Sequence, residues 1–507
     1  MSTSRRAFLR ATGLLTAAAA LPRGWGEAHA ASTAGYAGHR AAVCVFLLGG
    51  NDANNLLVPR LATPHAQYLA ARPNIGIKLA DLLPINPVGT AAGSYGLHPS
   101  LPKIQALFEQ EKAAVVCNVG PLVLPMKKAD YTSGAVPRPD NLYSHADQQD
   151  AWASAVANPS GVILPLQLIG KVTGWGGRTA DKISGLNPGE YPEVTSFGGK
   201  ALFGEGASRR PMMVASNGTL GFRATSDAAF SALQQEALSE VLGIHNDVTL
   251  QASYGGTFTM AQAFATSRTT ARDVAWNLLP QATREAVDAL FVLPTGGTNW
   301  SLPTQLYQVL RDIVAGATAV ASGGLGLRRQ LFSVGLGGFD THTGQDATQS
   351  SLFKQLDFAL DAFYQALLLI QTALGANAPQ ATLFTMSDFG RTFRENSDKG
   401  TDHGWGNHSL VIGDRVLGRR LHGTFPNLDL ANNAAANPDT VDSKGRWIPT
   451  LSVDQYAHTV VSWLGLTTTA ERDYVFPNLK DYLAAAVANG FPAAAQKSKI
   501  GFMMADS

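Results

Sequence analysis

The sequence predicts an α/β protein built on a mostly parallel sheet, and three observations lead there. Short apolar runs, the first spanning Ala41 to Leu48, are bounded by glycine and proline, as strands buried on both faces are. Helical periodicity lies between several of these runs. Acidic and histidine motifs follow three of the runs, and ligands in open α/β sheets gather outside the carboxyl ends of strands.

Taken in order, the chain begins with an expected export signal. Ser4, Arg5, Arg6, Ala7, Phe8 and Leu9 read as a twin-arginine motif. An apolar stretch from Ala11 to Leu21 follows, and Ala28, His29 and Ala30 form a small-x-small cleavage site. The stretch is shorter than the roughly 20 residues of a permanent membrane anchor. A periplasmic or secreted location is therefore expected. The division read from the sequence is a signal at 1–30, one α/β domain at 31–490 and a loose tail at 491–507.

After the first run, Ala113 to Val119, Pro211 to Ala215, Gln330 to Leu336, Ala381 to Met386 and Ser409 to Ile412 read as further strands. Leu352, Phe353, Leu356, Leu360, Phe363, Leu367 and Ile370 recur at helical spacing within 350–373. Residues of about 162–325 carry helical stretches, such as 226–242 and 260–279, and few strong strands; they read as a largely helical insertion. Ser452 and Gln455 form a capping box opening a helix over 453–464. No stretch beyond the leader reads as transmembrane. Cys44 and Cys117, the two cysteines, lie inside apolar runs and read as buried thiols rather than a disulfide. A net charge of +1, with charged residues at 15%, excludes a field made for nucleic acid or an anionic membrane.

The chemistry concentrates at the strand ends. Asp340 and His342, separated by one residue after Gly337 and Gly338, reach one face of an extended backbone; they read as a ligand pair, against a turn aspartate and a surface histidine. Asp388 ends the run ATLFTMS and serves either as a ligand or as the cap of a turn. In DHGWGNH, His403 and His408 flank a Gly-Trp-Gly loop, and Asp402 either ligates or orients a histidine. Asp52, beside Asn51, Asn54 and Asn55, suits a second cation or an Asn/Asp turn. Imidazole and carboxylate are ligands that zinc, manganese and iron share. One or two divalent ions are expected, zinc first, with manganese, iron, calcium or magnesium as alternatives.

Ser144 and His145 are the catalytic candidates: a serine at a helix start beside a metal can attack, or it simply caps the helix. His98 and Arg178 are the substrate-binding candidates. A guanidinium matches phosphate or sulfate with two hydrogen bonds, and a structural arginine is the alternative.

The segments FLLGGNDANNLLVP, GLHPSL, YSHADQQDAW, TGWGGR, GGFDTH, MSDFGRT, GTDHGWGNH, DQYAHTVVSWLG and FPNL together resemble the exported bacterial family called domain of unknown function 1501, within the alkaline phosphatase and sulfatase-like superfamily. The resemblance implies a three-layer α/β/α sandwich, alkaline phosphatase-like. It also implies an order of site residues that Asp52, Ser144, Asp340 with His342, Asp388, and then His403 or His408 follow. Two departures stand out. Asp340 and His342 are closer together than the superfamily pattern, and Phe389 follows Asp388 where a histidine is usual.

The expected activity is an exported metal-dependent hydrolysis of phosphate or sulfate esters, with a small or polymeric anionic ester as substrate. The rival reading is a non-catalytic exported protein that binds metal or a partner on a phosphatase-like fold. The sequence does not fix an oligomeric state.

Overall fold

The computed structural model describes residues 38–505, apart from 159–171, 190, 199–200, 219–229, 231–232, 235, 238–239, 241–248, 296, 298 and 431–436. The export signal read at 1–30, and most of the helix read at 226–242, lie outside the described residues. Twelve strands occur among the rest: β1 (Arg40–Leu48), β2 (Leu57–Pro59), β3 (Leu83–Ile85), β4 (Tyr95–Leu97), β5 (Ala113–Gly120), β6 (Val194–Ser196), β7 (Met212–Met213), β8 (Arg329–Gly337), β9 (Gln380–Ser387), β10 (Asn407–Ile412), β11 (Leu421–Gly423) and β12 (Leu451–Ser452). Each strand run read from the sequence coincides with one of them. The short β2, β3, β4, β6, β11 and β12 have too few residues to leave a pattern.

Nine strands make the central sheet, in the order β11-β5-β10-β9-β1-β8-β6-β7, with β12 beside β5. β1 lies between β8 and β9, parallel to both; Val43 stands beside Phe332 on one side and Leu383 on the other. Among these strands β10 alone runs against its neighbours β9 and β5. The sheet is therefore mostly parallel, as expected. β2, β4 and β3 form a small antiparallel sheet of their own.

Alternation along β1 explains the layers, because successive side chains of a strand leave opposite faces. Ala41, Val43, Val45 and Leu47 share a core with the helices Pro102–Glu109, Ser301–Ala317 and Gln345–Leu374. Ala42, Cys44 and Phe46 share the other core, with Trp152, Trp175, Ile183, Tyr456 and Val460 from the helices His145–Ser154, Trp175–Ile183 and Val453–Trp463. Helices thus cover both faces of the sheet. The last of them opens with the capping box of Ser452 and Gln455, as read from the sequence.

Within 162–325, β6 and β7 extend the sheet beyond β8, and Ser301–Ala317 packs into the core. The segment Gln345–Asn377 is long and apolar enough to cross a membrane by length and composition alone. Its residues Phe353, Leu356, Leu360, Phe363, Leu367 and Ile370 are instead buried in the core beneath the sheet. One expectation, of a loose segment after Pro492, needs revision. Phe502 is buried, Met503 bridges Val416, and the His458 ring bonds the Ser498 carbonyl at 2.8 Å. Cys44 and Cys117 are free and buried, as expected.

Candidate metal centre

Parallel order places the ends of β9, β1 and β8 side by side, and with them Asp388, Asp52 and Asp340. Because β10 runs the other way, its start lies at the same edge, bringing the loop that carries His403. Gly49 makes the close approach possible. Its φ is +114°, and a Cβ there would stand 2.4 Å from the Asp340 backbone nitrogen. The helix His145–Ser154 delivers His145 from the layer above.

Four side chains converge. His145, Asp340 and His403 offer ligand atoms that all lie within 4.8 Å of one another. His342 Nε2 is 3.0 Å from both Asp340 Oδ1 and His403 Nε2. The His403 and His145 Nε2 atoms stand 3.3 and 3.4 Å from the Asp340 oxygens Oδ1 and Oδ2. Ligands at roughly 2.0–2.2 Å from a tetrahedral ion are separated by about 3.3–3.6 Å, so the contacts of Asp340 with His145 and His403 fit one ion, whereas His342 stands outside the mutually close set.

The surrounding hydrogen bonds decide which nitrogens face inward. His403 Nδ1 lies 2.8 Å from the Tyr143 carbonyl oxygen, which only accepts, so the proton sits on Nδ1 and Nε2 is bare. His145 Nδ1 lies 2.6 Å from Asp388 Oδ2 and is fixed in the same way. Two lone pairs and a carboxylate thus point at one another, and the buried His145 Nε2 has no hydrogen-bond partner. That donor set suits a divalent cation. Phe389, in the place where the resemblance implied a histidine, packs against the His145 and His403 rings at centroid distances of 4.9 and 4.6 Å.

Arg391 was not singled out in the sequence, yet it matters here. Its Nη1 donates to Asp340 Oδ1 at 2.8 Å, and its other donors go to Thr401 and the Gly49 carbonyl. Burial acts to raise the Asp340 carboxyl, but the Arg391 hydrogen bond and charge, with His342 and His145 nearby, hold it below the usual range. Burial likewise lowers the His403 imidazole, favouring the neutral form that ligates. The Asp340 and His342 side chains remain 45% and 44% exposed, so the centre is open to solvent. Arg391 follows Asp388 by three residues in MSDFGRT, which is the signal that was available.

Other candidates lie elsewhere or are already engaged. Asp52 is fully buried and held by Arg72 through Nη1 at 2.5 Å and Nη2 at 3.0 Å. Gln345 and Asn54 take its remaining capacity. His408 is buried in β10, its Nδ1 accepting from the Asn118 backbone at 3.0 Å. His403 and His408 therefore face different surroundings. His98 accepts from the Ser100 backbone and packs on Phe353. Arg178 is buried with its donors on the carbonyls of Val475, Thr173 and Ser154. Ser144 is the N-cap of the helix that carries His145, without a side-chain cap bond. Asp402 pairs with Lys444 at 2.7 Å and stands 3.7 Å from His342 Nδ1. Asp388 receives His145, Gln149 and the Gly49 backbone.

The chain is thus a mixed α/β protein with an Asp/His cluster at the carboxyl edge of a mostly parallel sheet. Residues 207–443 match a family model described as "Protein of unknown function (DUF1501)", which supports the DUF1501 resemblance over that stretch. The match includes Asp340, His342, Asp388 and His403 but stops short of His145. No curated protein and no solved structure matches the chain.

Proposed function

We propose that this protein is an exported metal-dependent hydrolase of phosphate or sulfate esters, on an alkaline phosphatase-like fold. One observation carries the reading: the Nε2 atoms of His145, His342 and His403 converge on the Asp340 carboxylate, two of them with their protons committed elsewhere. His145, His403 and Asp340 would hold one divalent ion, zinc by ligand type, with His342 beside it. Such an ion supplies Lewis-acid polarisation of an ester oxygen and lowers the pKa of water toward neutrality. Arg391 keeps Asp340 ionised and fixed, and Tyr143 and Asp388 keep two imidazoles turned inward. The solvent-open side of Asp340 and His342 leaves room for a substrate to approach.

The rival, a non-catalytic metal protein, draws on the same geometry. His342, 3.0 Å from both Asp340 and His403, would close a four-ligand shell if it moved inward, as in structural zinc sites, whereas catalytic sites keep a position open. The test separates them. Elemental analysis of protein purified without added metal should give one equivalent of a transition metal, lost in His403→Ala. A screen of phosphate and sulfate esters should then show turnover that disappears in the same variant. Bound metal without turnover of any ester supports the rival, and metal-free folded protein refutes the catalytic reading and leaves a partner-binding protein on this fold.

A further inference from the structure

Asp388 has a side chain with no solvent exposure, and among the described residues no lysine or arginine pairs with it. A buried carboxylate without a compensating charge is costly. Its three donors are His145 Nδ1 at 2.6 Å, Gln149 Nε2 at 3.0 Å and the Gly49 N–H at 3.2 Å. Gln149 follows His145 by one helical turn, so both side chains leave the same face of the helix and meet the same oxygen, Oδ2. With Gln149 holding that oxygen from the side, the carboxylate cannot swing away from the ring.

The two nitrogens of an imidazole face away from each other. Asp388 stands at Nδ1, whereas Nε2 faces Asp340. An ion at Nε2 would therefore be separated from Asp388 by the whole ring, which makes Asp388 a partner of the ligand rather than a ligand. From this arrangement we infer that Asp388, braced by Gln149, is a positioning residue: it fixes the tautomer and aim of His145 and strengthens that imidazole as a metal donor. The inference rests on the metal-binding reading above. Its energetic logic runs both ways, since a cation at Nε2 polarises the Nδ1–H bond and so compensates the buried carboxylate through the ring.

The experiment uses the full chain with zinc and cobalt(II) as probes. Zinc affinity is measured by competition with a chromophoric chelator, and the visible spectrum of the cobalt-loaded protein reports the ligand field. Asp388→Ala should weaken zinc binding about 10- to 100-fold, and Gln149→Leu should weaken it less, in the same direction. Asp388→Asn keeps an acceptor for Nδ1 but removes the charge. It should fold, bind zinc with intermediate affinity and shift the cobalt bands, and it stands in if the alanine variant fails to fold. Zinc affinity and cobalt spectrum unchanged in folded Asp388→Asn and Gln149→Leu would overturn the inference while the metal-binding reading stands. Wild-type protein that binds neither metal would overturn both, so the two failures are told apart by the wild type alone.

Discussion

Asp52→Asn is the substitution that separates a second metal ligand from a structural ion pair. Asp52 and Arg72 are both fully buried, and the guanidinium meets both carboxylate oxygens. Gln345 and Asn54 donate to the same two atoms, so every acceptor direction is used. An asparagine must turn an amide donor toward one of these donors and leaves Arg72 charged without a counter-ion. Removing one partner of a buried pair costs about 3–5 kcal/mol. Against a typical stability of about 5–15 kcal/mol, that is a large share. Urea unfolding of the metal-free protein, followed by tryptophan fluorescence, should show a loss of about 3 kcal/mol or more. Metal content measured in parallel should stay at the wild-type value. A loss under about 1 kcal/mol together with reduced metal content would refute the reasoning and return Asp52 to the metal site.

Three further outcomes are expected. Burial pushes the imidazoles of His39, His98, His408 and His458 down to about 4. A folded pKa below the unfolded value of about 6.5 gives stability that is present above pH 6.5 and lost as pH falls toward 4. Each histidine contributes on the order of 3 kcal/mol over that window, so unfolding midpoints should drop steeply between pH 6.5 and 4.5; a flat profile would contradict the burial. Arg178→Met should destabilise the fold by several kcal/mol, because it strands the carbonyls of Val475, Thr173 and Ser154. An Arg178→Met protein of wild-type stability that had lost affinity for an anionic ester would show that Arg178 clamps substrate instead. Finally, Cys44 and Cys117 are buried, and burial raises both thiols. A maleimide should label neither in the native protein and both in urea, and labelling of the native protein would place at least one thiol at the surface.

Much of the fold is legible in the chain because it is written locally. Buried strands such as β1, β5, β8 and β9 announce themselves as apolar runs closed by glycine or an acidic residue. The Gln345–Leu374 helix shows its periodicity, and Ser452 with Gln455 shows its cap. The candidate site is legible as a set of motifs, since Asp340, His342, Asp388 and His403 all follow or precede strand runs.

Which of those residues meet is a different matter. Sequence alone determined the longer strands, their ends and the ligand types there, because burial period and turn chemistry act over a few residues. Only the tertiary structure decided that His145 joins Asp340 and His403, that Asp388 serves His145 across 243 positions, and that Arg72 occupies Asp52. Those pairings depend on strand order: β1 lies between β8 and β9, its partners hundreds of residues away, and no local period records which strand becomes whose neighbour.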